Sequence, residues 1–150
     1  MKSSQYHLLA IMVVISFVSM YVLMYAMVNV FGNVYSSFNQ FYMAGLMTAP
    51  MIIIEMCVMG AMYNNKKLNG FIIAFTALTL VVFWVLIRQQ VGISDKQFLR
   101  SMIPHHAGAI LMCENAKLED PDVKKLCDGI ISGQQAEISQ MRAKLLDLEK

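Results

Sequence analysis

Acidic side chains are almost missing from the first 93 residues of this 150-residue chain: Glu55 stands alone there, beside four bases, Lys2, Lys66, Lys67 and Arg88. Only 15% of the chain is charged and 57% is hydrophobic, and its mean hydropathy of +0.53 lies outside the range of soluble domains. The scarcity of charge excludes a soluble globular protein. A net charge of +2, with no basic stripe and no basic residues interleaved with aromatics, excludes nucleic-acid binding. Histidine is also scarce, at three residues. No nucleophile with an orienting base, no paired catalytic carboxylates and no phosphate loop can be picked out, so an enzyme is not expected. No internal repeat or low-complexity segment is present.

Three apolar runs occupy residues 8–31, 41–63 and 71–87. Each reads as a transmembrane helix, the last giving ~25 Å of helix and needing its flanks to span. The first run is longer than a signal-peptide core and no small-x-small cleavage site follows it, so a retained anchor is expected. The link "GNVYSSFNQ" has no Lys or Arg, whereas "NNKKLNG" carries Lys66 and Lys67 and the N-terminus carries Lys2. The positive-inside rule then places the N-terminus and the second link in the cytoplasm and residues past Arg88 outside, with Arg88 able to snorkel to headgroups.

Residues 94–150 hold nine acids and eight bases, which marks a polar part distinct from the membrane part. We expect a three-helix transmembrane region over 1–90 and a helical hairpin over 91–150, an all-α fold. "SDKQ" at 94–97 reads as a capping box starting a helix to about residue 118. In "EDPDV", Asp120 can cap and Pro121 can take the first helical position of a second helix running to about residue 148. Two helices cannot bury both of their apolar stripes alone, so a homo-oligomer that completes a bundle is the simplest expectation.

The first hairpin helix contains "FLRSMIPHHAGAILMC". At 100° per residue, Met102, His106, Ala109 and Cys113 share one face, with His105 and Met112 on its edge. Pro104 within this helix favours a kink beside the histidines. On the second helix Cys127, Gln134, Ile138 and Met141 share a face that can meet the first. Thioether and thiol favour copper(I), while imidazole suits copper and zinc, zinc being the weaker candidate here. Met102, His105, His106 and Met141 are therefore the candidate metal ligands, with Met112 and Cys113 beside them. The same residues also suit an ordinary core with hydrogen-bonded histidines. A ferritin-type di-iron site is disfavoured, because Met102 and Ile103 stand where Glu-x-x-His needs glutamate.

Cys113 and Cys127 lie seven residues either side of Asp120, at one height in an antiparallel hairpin. A disulfide, two buried thiols and a thiolate metal site are all open from spacing. Ten of the fourteen methionines fall in the first two apolar runs. Met47, Met51, Glu55, Met59 and Met62 follow one side of the second, and Met20, Met24 and Met27 form a stripe on the first; packing among small and adaptable side chains is the simpler reading of such stripes. A carboxylate at mid-bilayer must be protonated, paired or hydrated, so Glu55, with Met51 and Met59, is a membrane metal candidate or a proton-linked or structural group. Cys57 reads as a buried apolar residue and His7 as an interfacial one.

"MIPHHAGAI" at 102–110 followed by "DPDVKKLCDGIISGQQAEISQM" at 120–141 resembles the bacterial domain-of-unknown-function 305 family over residues 94–149. The membrane part is similar to a branch in which Met-rich helices precede that domain. The resemblance implies a ferritin-like helical domain, often in periplasmic or membrane-anchored copper-handling proteins. It implies Met102, His105, His106 and Met141 as ligand positions, with Gln134 and Glu137 hydrogen-bonding to them. The family often has Gln or Ser where this chain has Ala107, and its motif does not call for Cys113 or Cys127. The expectation is thus a bacterial inner-membrane protein with a periplasmic hairpin that binds copper(I) or silver(I) for buffering, storage or delivery to a copper-handling partner. The alternative is a non-enzymatic interaction subunit of a membrane complex.

Overall fold

A computed structural model describes residues 4–150 as five α-helices with short 3₁₀ turns. They are α1 (Ser4–Leu23), α2 (Phe38–Val58), α3 (Lys66–Arg88), α4 (Asp95–Asn115) and α5 (Pro121–Glu149). Lys2, used in the expected topology, lies outside the described residues. The all-α expectation and its three apolar helices hold: Gln5–Met27, Phe38–Val58 and Lys66–Arg88 are long and apolar enough to cross a membrane. The chain forms two compact units. One comprises Asn39–Val91 with the N-terminal segment through Leu23; the other comprises Met24–Phe38 with Gly92–Lys150.

In the membrane unit, large apolar side chains point outward, among them Leu8, Val14, Val22, Phe71, Leu78 and Trp84. In water such a surface would be an aggregation site, whereas lipid is its matching solvent. Inward contacts rest on small residues: Ala44, Gly45, Thr48 and Ala49 of α2 are buried. A side chain at Gly45 would collide with the Phe83 ring of α3, so glycine is what lets these helices approach. The Thr48 hydroxyl is satisfied by donating to the Ala44 carbonyl at 2.8 Å. Phe17 and Phe83 pack edge-on against Phe41. A second cluster joins Leu9, Met56 and Tyr63 with Tyr6, Met12 and Ile52. Helix α3 ends with Gln90 in the left-handed region, φ 49°, while the Gln90 side chain donates to the Ile87 carbonyl at 2.7 Å.

In the hairpin unit, Ile103, Ala107 and Ile110 of α4 meet Ile138 and Leu145 of α5, and Val28, Tyr35, Leu99 and Met141 pack around them. The 3, 4 and 7 spacing of the α4 residues is that of a single helix face. Helix α4 runs as one helix through Pro104 and stops at Asn115, short of the expected residue 118, because Ala116 is extended. The expected capping box does not form. Ser94 makes no side-chain cap, and Gln97 instead accepts from the Phe38 amide at 2.9 Å. That amide opens α2 and has no partner within its own helix, so it competes for the glutamine oxygen. The second cap forms as expected: Asp120 accepts from the Asp122 and Val123 amides at 2.8 and 3.0 Å.

Residues 24–38, the link between α1 and α2, pack onto the hairpin. Arg142 of α5 reaches Gly32 and Asn33 there, and the Gly108 position faces the Met27 carbonyl.

Candidate metal centre

His106 sits on the edge of the buried Ile103, Ala107, Ile110 stripe, which turns its ring toward α5. Its side chain is 12% exposed, against 55% for Glu137 opposite. The Nδ1 atom lies 2.9 Å from the Met102 carbonyl. A carbonyl only accepts, so Nδ1 carries hydrogen and donates, and this network assigns the tautomer. The other nitrogen, Nε2, lies 2.7 Å from Glu137 Oε2. With Nδ1 donating, Nε2 is the metal-competent atom, and a metal bound there would displace the Glu137 carboxylate.

One turn back from His106 is Met102, and one turn forward from Glu137 is Met141. In an antiparallel pair these steps run in the same direction, so both thioether residues belong to the next layer of the same interface. Both are half-buried, and Met141 packs on the apolar core. Gln134 is also half-buried.

His105 is placed differently from its neighbour. It is exposed, with its ring edge-on to that of His106 at 6.1 Å between centroids. Adjacent residues on a helix are 100° apart, so only one of the pair can face α5. Met112 is exposed as well. Cys113 and Cys127 are joined as a disulfide with their Cα atoms 5.3 Å apart, and in that state neither offers a thiolate. Among the described residues no three His, Cys, Asp or Glu side chains form a group able to hold a metal. A centre at His106 therefore draws on thioether sulfur, which is a soft-metal donor set.

The membrane candidates lie near one end of α2. Glu55 is one turn from the helix end at Val58, not in the middle of a span, and it accepts from the Tyr63 hydroxyl at 3.2 Å. Met59 and Met62 lie beyond α2, in and beside the 3₁₀ turn at Gly60–Met62, so the methionine stripe read from the sequence does not continue along one helix. Glycine at position 60 weakens helix continuation there. Met51 is half-buried on α2. Cys57 is exposed on the outer surface of α2, not buried.

Sequence reasoning missed Arg142. Its Nη2 donates to the Gly32 carbonyl at 2.6 Å and to Asn33 Oδ1 at 2.7 Å. Asn33 in turn donates to Asn29 Oδ1 at 2.9 Å. The available signal was a pair of asparagines four apart in a link with no charged residue.

Residues 85–145 match the family described as Domain of unknown function (DUF305). The chain is 36% identical over 146 residues to "Uncharacterized protein L153" of Acanthamoeba polyphaga mimivirus, covering 95% of this chain and 93% of that protein. The chain belongs to the DUF305 family. No solved structure matches it. The DUF305 segment contains all of α4 and α5 as far as Leu145, so Met102, His105, His106, Glu137 and Met141 all fall within it. The likeness to the mimivirus protein extends beyond that segment into the membrane helices.

Proposed function

We propose that this DUF305 protein is a membrane-anchored binder of copper(I) or silver(I), for buffering, storage or delivery. The observation that carries the reading is the setting of His106. Its Nδ1 is fixed by the Met102 carbonyl, its Nε2 is held toward α5, and thioethers occupy the next turn on both helices. A backbone bond that orients an imidazole and fixes its tautomer is a recurring feature of metal-ligating histidines. Met102, His106 and Met141 would hold the ion, Glu137 would yield its place at Nε2, and His105 would serve as the outer ligand during loading. Exchange between thioether and imidazole ligands needs no further chemistry.

The proposed topology has α1 starting in the cytoplasm, with the hairpin on the outer face of the membrane. Three observations support it. Lys66 and Lys67 open α3 at the end that follows the α2–α3 link, the link between α1 and α2 packs with the hairpin, and Cys113 and Cys127 are oxidised, as an extracytoplasmic setting favours. In a bacterium that setting is the periplasmic face of the inner membrane.

A competitive copper(I) titration in detergent, with a colorimetric chelator under reducing conditions, tests the reading. Tight binding lost in His105→Ala/His106→Ala is expected. Equal affinity in that variant would move the site elsewhere, and no binding by the native protein would end the copper reading. One observation favours the second reading, an interaction subunit: Val123, Leu126 and Leu146 of α5 are exposed apolar residues. A stoichiometric membrane partner recovered by cross-linking, without metal, would favour it.

A further inference from the structure

Side-chain links join α4 to α5 at three successive levels. Arg100 pairs with Glu149 at 2.7 Å near the open end, His106 with Glu137 in the middle, and Cys113 with Cys127 toward the turn. The core does not extend over all three. Its members on α4 end at Ile110, and on α5 they begin at Ile138. From residue 111 to residue 137 no side chain is buried. In that outer half Met112 and Leu126, each the residue preceding a cysteine, are more than half exposed. Helix segments that bury no side chain are held to each other weakly, since most helical stability in proteins comes from packing of an apolar face. The crosslink therefore holds the outer half of the hairpin where packing is only partial, with Leu111, Ile130 and Ile131 no more than half-buried. Glu137 is the last residue of that half, and it is exposed apart from its contact with His106.

We infer that the Cys113–Cys127 cystine is a reducible clasp, a site for a dithiol reductant, and that its opening loosens residues 111–137 and releases Glu137 from His106. In the exchange, a thiolate of the reductant attacks one cystine sulfur to form a mixed disulfide, and the other sulfur leaves as a thiolate. The second thiol of the reductant then attacks the mixed disulfide, closing a disulfide on the reductant. Two electrons and two protons pass to Cys113 and Cys127. Cys113 and Cys127 are half-buried residues at the rim of the hairpin, beside exposed Met112 and Leu126, where such a partner can approach. The consequence for metal, that clasp opening changes the ligation of His106, rests on the reading of His106 as a ligand.

The test uses the full chain in detergent in three forms: oxidised, reduced with a phosphine and alkylated, and Cys113→Ser/Cys127→Ser. Hydrogen exchange and the rate of diethyl pyrocarbonate modification of His106, with exposed His105 as internal reference, are read by peptide mass spectrometry. In the reduced and serine forms, exchange over 111–136 is expected to rise on the order of 100-fold, the scale on which a crosslink closing a loop of this length restricts opening. Residues 138–149 are expected to keep their protection, and His106 to react as fast as His105. Unchanged exchange and unchanged His106 reactivity would overturn the clasp. Loss of protection along the whole of α4 and α5 would also overturn it, since the bond would then hold the entire hairpin. Silver(I) titration of the oxidised and serine forms, both carrying Cys57→Ser, separates the two readings with no free thiol present. A clasp that opens in a protein that never binds silver leaves the clasp standing and removes the metal site. Tight silver binding with no opening does the reverse.

Discussion

Arg142 and Asn33 are 109 residues apart in sequence and 2.7 Å apart in the structure, with the guanidinium donating to the amide oxygen. Asn33 is 3% exposed, so its oxygen has no water to replace that donor. Arg142→Met should cost about 1–3 kcal/mol, the range for leaving a buried acceptor unpaired. The loss should appear as faster hydrogen exchange in residues 24–38 and a lower unfolding temperature in detergent. A link as well protected in the variant as in the native protein would mean that the contact does not hold it.

The two histidines should separate functionally. His106→Ala removes the imidazole fixed by the Met102 carbonyl, and at least a tenfold loss of copper(I) affinity is expected. His105→Ala removes an exposed ring and should change affinity by less than threefold. Chelator competition on the single variants measures both, and equal losses would contradict the unequal placement of the pair. Helical content by circular dichroism should be unaltered in each.

Gly45 lies against the Phe83 ring, which itself packs against Phe41 and Tyr42. Gly45→Ala forces that ring to move and should destabilise the membrane unit by about 1–3 kcal/mol, as overpacking does. Gly45→Ala/Phe83→Leu should recover most of the loss. Thermal unfolding in detergent decides the matter, and a neutral Gly45→Ala would show that the helices separate freely at this point.

The topology can be read by thiol labelling. Ser36→Cys and Lys150→Cys should react with an impermeant maleimide from one side of sealed vesicles, and Asn64→Cys only after the vesicles are opened or inverted. Cys57→Ser serves as the background for all three. Labelling of positions 36 and 64 from the same side would rule out a crossing by α2.

Much of the architecture was legible because it depends on local rules. Apolar length picked out the three helices long and apolar enough to cross a membrane, and Asp120 with Pro121 marked the start of α5, since a cap acts on amides two and three residues away. Ser94 and Gln97 misled for the opposite reason. Their capping box is a local option, and the Phe38 amide, distant in sequence, took the glutamine oxygen instead. Glu55 was similarly displaced in reading: the apolar run continues past Val58, and only Gly60 hinted that the helix ends there, while nothing local showed that Tyr63 turns back to meet the carboxylate.

By itself, the sequence determined the all-α class, the division between lipid-facing and polar parts, and the residue types at the candidate centre, because hydropathy, helical period and ligand chemistry are properties of residues and their spacing. Tertiary structure alone decided which of two adjacent histidines faces α5, that Glu137 is its partner, that the first link belongs with the hairpin, and that the outer half of that hairpin carries a disulfide where it lacks a core. Each of these depends on how one helix is rotated against another, and that rotation is fixed by packing between segments far apart in the chain.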